Sequence, residues 1–247
     1  MGINLGLDIG AISLKLAALG KTADRGILES LCAARPEFRL TEFDGRPLVL
    51  SDYRRISGSP IQSTYDLLDE FYETVPEVRV EGIRVTGSGS RTIAKVLGLF
   101  FENEFKAIAR MMAAFFPQVR TVFEIGGESS KYIRLDETGI QDYDRSGECA
   151  AGTGSFLDQQ ALRMQYSVEE VGGLVCGASS SARIAGRCSV FAKSDMIHAQ
   201  QKGYQPAEIL RGLCDAVARN FKSSIVKGRK VEAPVALIGA VSQNAGV

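Results

Sequence analysis

The sequence predicts an α/β fold with two lobes of related design. Its 247 residues are 45% hydrophobic, which is enough for one large domain or for two lobes with buried cores of their own. A strand, a glycine-containing turn and a second strand are predicted at 5–19, and the same unit recurs at 120–135. Segments of helical periodicity lie between the predicted strands, as in other α/β proteins. The repeat therefore predicts a first lobe at 1–117 and a second lobe at 118–247.

The remaining elements follow from periodicity and from turn-forming residues. In the first lobe we expect a third strand at 27–34, a loop or short inserted hairpin at 40–60, helices at 65–75, 91–99 and 102–116, and a buried strand at 80–86. In the second lobe we expect helices at 150–164, 190–202 and 206–227 and a last strand at 234–240. An α/β lobe normally continues after such a strand and glycine turn, so we expect a chain that stops at Val247 to be C-terminally truncated.

Charge and hydropathy exclude several classes of protein. The 29 basic and 29 acidic side chains give no net charge, so a nucleic acid attracted by the field of the protein is not expected. No apolar stretch approaches the roughly 20 residues that span a bilayer. The N-terminus also lacks the basic and apolar regions of a signal peptide. We therefore expect a cytoplasmic protein with no nucleic-acid partner and no membrane.

Both strand–turn–strand units carry residues suited to binding phosphate. An acidic residue ends the first strand, and small residues in the turn let backbone N–H groups approach phosphate oxygens closely. In the first unit, Asp8 could hold a Mg²⁺-bound water and Lys15 could balance phosphate charge. The candidate nucleotide contacts are Gly10, Ala11, Ile12, Ser13 and Lys15 in the first hairpin, and Gly126, Gly127, Glu128 and Ser129 after Glu124 in the second.

One hairpin of this kind is common in proteins without any ligand, whereas two in tandem indicate a nucleotide site. A later glycine turn, with Gly239, Ala240 and Gly246, supports this interpretation. The arrangement resembles the superfamily of acetate and sugar kinases, actin and heat-shock ATPases, whose lobes are ribonuclease H-like. The resemblance implies that the two hairpins bind the phosphates of ATP and that the late turn binds adenosine.

Two of the five cysteines lie at the starts of predicted helices. The positive end of a helix favours a thiolate, and Cys149 and Cys188 both occupy such positions. Two thiolates are half of the four ligands of a cubane iron–sulfur cluster, and a twofold-symmetric dimer would supply the other half. From the residues alone, the alternative that both are small buried apolar side chains stays open. Cys32, Cys176 and Cys214 match no ligand position, and we expect Cys214 to pack in the core.

The strings CAAGTGSFLDQQ (149–160) and RCSVFAKSD (187–195) resemble the signature of the BadF/BadG/BcrA/BcrD ATPase family. The similarity covers nearly the whole chain and includes GLDIGAISLK, VTGSGSR, ENEFKAIAR, EIGGESSKYI and GAVSQNAGV. Members of that family activate 2-hydroxyacyl-CoA dehydratases or form the ATPase subunits of benzoyl-CoA reductases. The second lobe, with its stretch IHAQQKGYQP (197–206), resembles the first domain of long, multidomain activases of CoA-ester enzymes.

The resemblance implies a homodimer in which Cys149 and Cys188 of each chain bind one shared [4Fe-4S] cluster. It also implies that the protein binds Mg-ATP and Mg-ADP and that hydrolysis is coupled to the transfer of one low-potential electron. The electron donor would be a protein such as ferredoxin or flavodoxin, and the acceptor a CoA-ester dehydratase or reductase component. The catalytic residues would be Asp8, Glu104 and Glu124, with Gly152 as a further cofactor contact.

Among the positions that depart from the family pattern, four favour an alternative hypothesis. Ala11 stands in place of a Ser or Thr, Glu124 of an Asp, Glu128 of a Gln and Ala240 of a Gly. The alternative is a nucleotide-binding regulatory or assembly module of a larger polypeptide, with weak or no ATP turnover. A sugar or acid kinase is a third hypothesis, but it leaves the two cysteine strings unexplained.

Overall fold

The computed structural model describes residues 2–56, 58–147, 152–186 and 188–247. The chain divides into two compact units, Met1–Ile108 and Ala109–Val247, each with its own sheet and hydrophobic core. The lobe boundary expected at residue 117 stays a prediction. Within the described residues, no helix is both long enough and apolar enough to cross a membrane.

The first unit contains a seven-stranded sheet. Its elements are β1 (Ile3–Ile9), β2 (Ser13–Leu19), α1 (Arg25–Ala34), β3 (Phe38–Phe43), β4 (Arg46–Ser51), β5 (Arg54–Arg55), α2 (Pro60–Thr74), β6 (Val80–Thr86), α3 (Ser90–Leu97), β7 (Phe100–Phe101) and α4 (Glu104–Phe115), which continues into the second unit. The strand order is β3-β4-β2-β1-β6-β7, and β5 pairs with β2. β1 lies antiparallel to β2 and parallel to β6, and its alternate residues Ile3, Leu5, Leu7 and Ile9 are buried.

The strand expected at 27–34 is wrong, because this segment belongs to the helix α1. Leu28 and Leu31 are fully buried, and their spacing of three residues puts them on one face of a helix. The carboxylate of Asp24 accepts the N–H of Lys21 at 2.8 Å, which fixes the turn before the helix. A short apolar run of this kind is compatible with a strand or a helix, and the tertiary contacts decide between them.

The segment at 40–60 forms the β3–β4 hairpin and β5, so the hairpin interpretation is correct. Asp44 and Gly45 have φ values of 49° and 69°, the left-handed conformations of a two-residue hairpin turn. The next helix, α2, begins earlier than expected. Pro60 occupies its first turn, and the hydroxyl of Ser59 accepts a backbone N–H of that turn.

The second unit contains a four-stranded sheet with helices packed in its core. Its elements are β8 (Thr121–Ile125), β9 (Ser130–Asp136), β10 (Gly139–Arg145), α5 (Gly154–Arg163), α6 (Val168–Cys176), α7 (Ser189–Gln201), α8 (Pro206–Phe221), a π-helical turn (Lys222–Val226) and β11 (Val235–Ile238). The strand order is β10-β9-β8-β11, with β8 antiparallel to β9 and parallel to β11. Leu210, Leu213 and Val217 of α8 are buried, as their helical spacing predicts.

Two elements of this unit, β10 and α6, have no counterpart in the sequence prediction. β10 is an edge strand without a buried residue, so it lacks the apolar alternation that predicts a strand. α6 contains Gly172 and Gly173, which lower its helical propensity. A Cβ on Gly172 would lie 3.2 Å from the backbone nitrogen of Ala245, so close packing accounts for that glycine.

Glu70 of α2 joins three elements of the first unit. It accepts hydrogen bonds from Arg54 of β5 at 2.8 and 2.7 Å and forms an ion pair with Arg35, which follows α1. The guanidinium of Arg54, followed by that of Arg35, holds the pKa of the Glu70 carboxyl below its ordinary value. Hydrogen bonds between charged groups are stronger than neutral ones, so this cluster stabilises the folded unit.

We predict that Glu70→Gln destabilises the protein at pH 7 by about 1.5–3 kcal/mol, because two guanidinium groups lose their shared carboxylate. The pKa of Glu70 is lower in the folded state. Its contribution is therefore present above the unfolded pKa and is lost as the pH falls through the folded pKa. The difference in Tm between wild type and variant, measured by circular dichroism, should be several degrees at pH 7 and should shrink below pH 4.5.

Glu29→Gln is the matched control for this measurement. Glu29 forms an exposed ion pair with Arg25 at 4.0 Å, one turn along α1, and such pairs contribute little. A Tm loss for Glu29→Gln as large as that for Glu70→Gln would contradict the special role of Glu70. An effect of Glu70→Gln that persists undiminished at about pH 3 would contradict the assigned direction of the pKa shift.

Candidate functional site

Antiparallel pairing of β1 and β2 places Asp8 directly opposite Lys15. The ammonium of Lys15 donates to a carboxylate oxygen of Asp8 at 3.1 Å and to the hydroxyl of Ser13 at 3.2 Å. The N–H of Gly10 donates to the carbonyl of Ser13 at 2.8 Å and closes the turn. Lys15 is 42% and Asp8 45% exposed, so this pair is accessible to a ligand.

The second hairpin, formed by β8 and β9, repeats this arrangement. Glu124 lies opposite Lys131, whose ammonium donates to the Glu124 carboxylate at 2.7 Å and to the hydroxyl of Ser129 at 3.1 Å. Here the pair is enclosed, because Lys131 is 5% and Glu124 15% exposed. Lys131 was missed by the sequence analysis. Its spacing from Glu124, which equals that of Lys15 from Asp8, is the signal that identifies it.

The tips of both hairpins present backbone donors. In the part of the chain that the structure describes, the N–H groups of Ala11 and Ile12 in the first hairpin donate no hydrogen bond to the protein. The same holds for Gly127 and Glu128 in the second. Consecutive N–H groups in a turn are able to bind an anion. Each hairpin therefore combines two free N–H groups with a lysine and a carboxylate.

The amino-terminal end of α5 packs on the tip of the second hairpin. The N–H groups of Gly154 and Ser155 donate to the carbonyls of Gly126 and Gly127, both at 2.8 Å. The hydroxyl of Ser155 donates to the Gly127 carbonyl at 2.6 Å as well. These three bonds fix the backbone of the tip against the helix.

A glycine turn after β6 supports the first hairpin. Gly87 has a φ of 99°, and a Cβ there would lie 2.4 Å from the carbonyl oxygen of Ile9 and 2.7 Å from a carboxylate oxygen of Asp8. The N–H of Gly89 donates to the same Ile9 carbonyl at 2.8 Å. The turn thus lies directly against Asp8 and leaves no room for a side chain. The sequence analysis used this segment only as part of the family similarity.

The late glycine turn lies at the same edge of the second sheet as the second hairpin. β11 ends at Ile238, which pairs with Glu124, and Gly239 and Ala240 follow. Gly239 has a φ of 90°, and a Cβ there would lie 2.4 Å from the carbonyl oxygen of Ile125. The structure therefore brings Gly239 and Ala240 beside the second hairpin, and their contact with adenosine stays a prediction.

The other predicted contacts have different surroundings. A Cβ on Gly246 would lie 2.2 Å from the side chain of Val175, so packing against α6 accounts for this glycine. Gly152 has a φ of 92°, and a Cβ there would lie 2.8 Å from the side-chain amide of Asn220 in α8. Glu104 lies in the first turn of α4. The roles of these three residues at a nucleotide stay predictions.

Of the two candidate cluster ligands, one lies within the described residues. Cys188 immediately precedes α7, its thiol is free and half-buried, and it caps no backbone N–H of the helix. Cys149 belongs to 148–151, outside the residues that the structure describes. Over the described ranges, no group of three or more His, Cys, Asp or Glu side chains could hold a metal ion.

The segment before Cys188 is fixed from two helices. Asp195 of α7 accepts the N–H of Ala185 at 2.8 Å, and Arg219 of α8 donates to the carbonyl of Ile184 at 2.9 Å. Both contacts hold the backbone that leads to the cysteine. The sequence analysis assigned no role to Asp195, although it belongs to the second cysteine string.

The remaining cysteines have no common role. Burial raises the pKa of the Cys214 thiol to about 12, so the side chain is an inert part of the core, as expected. Burial also raises the pKa of the Cys32 thiol. Cys176, at the end of α6, is exposed.

Comparison with known proteins identifies close relatives. Over 246 residues the chain is 32% identical to a 2-hydroxyisocaproyl-CoA dehydratase activator of Clostridioides difficile, covering 98% of this chain and 82% of that protein. It is 31% identical to an activator of lactoyl-CoA dehydratase of Anaerotignum propionicum, covering 83% and 78% of the two chains. The solved structure of the activator of the 2-hydroxyisocaproyl-CoA dehydratase from Clostridium difficile, with bound ADPNP, is 25% identical and has a TM-score of 0.76. It covers 99% of this chain and 82% of that one.

These similarities confirm the predicted fold class, that of actin, the sugar kinases and the heat-shock ATPases. The model of the BadF/BadG/BcrA/BcrD ATPase family matches residues 5–247. The match includes both hairpins, the late glycine turn and Cys188. This chain belongs to the BadF/BadG/BcrA/BcrD ATPase family.

Proposed function

We propose that this protein is an ATP-dependent activator that delivers a low-potential electron to a CoA-ester dehydratase or reductase component. Two copies would share one [4Fe-4S] cluster held by Cys149 and Cys188 of each chain, with a donor such as ferredoxin or flavodoxin supplying the electron. One observation carries the proposal: two phosphate-type hairpins and a cysteine at a helix start occur together in a chain whose relatives activate CoA-ester dehydratases.

Each hairpin is suited to a part of Mg-ATP. The free N–H groups at the tips, those of Ala11 and Ile12 in the first hairpin, would donate to phosphate oxygens. Lys15 would add a positive charge beside them, and Asp8 would hold a magnesium-bound water. The relative with bound ADPNP supports nucleotide binding by this arrangement.

The surroundings of Cys188 are suited to a residue that binds a cluster. Its thiol makes no capping bond, and Asp195 and Arg219 fix the backbone that leads to it. A cubane cluster needs four thiolates, so a chain with two candidate thiols requires a second copy. Val190 and Phe191, in the first turn of α7, are 68% and 67% exposed and offer an apolar surface for that copy to cover. When bound, the cluster supplies one-electron transfer.

A second candidate function is a nucleotide-binding module without turnover. Glu124 favours it, because its carboxylate already accepts a hydrogen bond from the ammonium of Lys131. Ala11 also removes a hydroxyl from the first tip, and the exposed Glu128 adds a negative charge to the second. Phosphate release separates the two functions.

We predict that the purified protein releases phosphate from Mg-ATP above the buffer background, and that Asp8→Asn lowers the rate by about tenfold or more. The reason is that the neutral amide holds a magnesium-bound water less well than the carboxylate does. Colorimetric phosphate release at saturating Mg-ATP measures both rates.

The control is Asp44→Asn, the same chemical change in the β3–β4 turn, where asparagine also adopts the left-handed conformation. It should leave the rate unchanged. Nucleotide binding by the wild type without phosphate release above background would favour the module and contradict the activator.

We further predict about two irons and two acid-labile sulfides per chain after anaerobic purification, with a native mass of two chains. Cys188→Ser should reduce the iron to background, because a serine hydroxyl is a poor ligand for the cluster. Iron and sulfide assays with native mass spectrometry check these values.

Cys176→Ser is the matched control, since Cys176 is an exposed free cysteine outside both cysteine strings. It should keep the iron content of the wild type. Unchanged iron in Cys188→Ser, or an iron-free wild type that binds no cluster on reconstitution, would rule out the shared-cluster proposal.

A further inference from the structure

The two hairpins contain the same three-residue cluster in different environments. An acid, a serine five residues later and a lysine seven residues later meet in both, because the acid and the lysine are cross-strand partners. The clusters are Asp8, Ser13 and Lys15 in the first hairpin and Glu124, Ser129 and Lys131 in the second. The first lysine–acid pair is nearly half exposed, whereas the second is largely buried.

We propose that the two lysines have different roles, each in its own hairpin. Lys131 is a positioning residue that stays with Glu124 and holds its carboxylate in place, whereas Lys15 leaves Asp8 for a phosphate of a bound nucleoside triphosphate. The departure of Lys15 frees the Asp8 carboxylate for magnesium. This inference rests on the proposed nucleotide binding and assigns different roles to residues that the sequence makes equivalent.

The difference in burial carries the proposal. An ion pair in contact with water contributes little, so Lys15 exchanges one anionic partner for another at small cost. Separating the buried ammonium from its carboxylate would remove the ion pair between two charges that are largely shielded from water, which is strongly unfavourable. Lys131 therefore keeps Glu124 in every state of the second hairpin.

The position of the Glu124 carboxylate supports a fixed role. Its Oε1 lies 2.7 Å from the point where a Cβ on Gly126 would be, so the carboxylate occupies space that the glycine leaves open. Its Oε2 accepts a hydrogen bond from the ammonium of Lys131 at 2.7 Å. The longer side chain of glutamate is thus folded back against the hairpin tip and held there by the lysine.

The first arm of the test needs no nucleotide. Thermal unfolding is compared for Lys131→Met and for the double variant Lys131→Met, Glu124→Gln. Lys131→Met should lower Tm by several degrees, and removal of the Glu124 charge in the double variant should recover more than half of that loss. The matched pair, Lys15→Met with and without Asp8→Asn, should stay within about 1 °C of the wild type.

The second arm measures the Kd of ATP by calorimetry, with magnesium and with a chelator. Lys15→Met should weaken binding about tenfold in both conditions, because a phosphate loses its ammonium partner. Lys131→Met should bind ATP without magnesium as the wild type does, but the factor by which magnesium tightens binding should fall about tenfold. If Lys131 had a purely structural role, the variant would change the Kd with magnesium and the Kd without magnesium by the same factor.

Wild-type affinity in Lys15→Met, or a wild-type magnesium factor in Lys131→Met, would overturn the proposal. So would a double variant no more stable than Lys131→Met alone. A wild-type protein that binds no ATP would instead overturn the proposed function, while the unfolding comparison would still report on the buried pair.

Discussion

The two-residue period of the β-strand is the constraint on which the site depends. Leu7 and Ile9 enter the core of the first unit, so Asp8 between them projects from the opposite face. On the partner strand, Ser13 and Lys15 are two residues apart and reach the same side. A shift of one residue in register would bury the carboxylate and expose both apolar side chains, which makes such a slip costly.

A second constraint is close backbone approach, and it extends the internal repeat beyond the hairpins. Gly87 and Gly239 each follow a strand that runs parallel to an acid-bearing strand. A Cβ on either glycine would lie 2.4 Å from the carbonyl oxygen of the residue after the acid, Ile9 in one unit and Ile125 in the other. Both glycines have positive φ. The glycine turn expected to bind adenosine therefore has a structural equivalent in the first unit, where it lies against Asp8.

Periodicity and turn residues were sufficient to predict the hairpins and α8, because local pattern and tertiary burial agree in these elements. They failed for α1, whose short apolar run suits two structures, and for β10, whose polar residues give no strand signal. Among the candidate site residues, the acids and the cysteines were proposed from their motifs, and their roles stay predictions. Asp195 could not be proposed in this way, because it acts on the backbone of Ala185, ten residues away, through a contact that only the fold creates.

The second hairpin and the segment before Cys188 are held by helices of one close-packed core. The hairpin tip is bonded to the start of α5 through Gly154, and the turn just before this helix approaches Asn220 of α8. Arg219, which precedes Asn220 in α8, donates to the carbonyl of Ile184 and so holds the segment before Cys188. Packed cores transmit small displacements, so a movement of the tip has a short route of direct contacts to the segment before the cysteine. The free N–H groups at that tip are where a phosphate would act in the proposed function, and this continuity supports the proposal that a bound nucleotide controls the surroundings of the candidate cluster ligand Cys188.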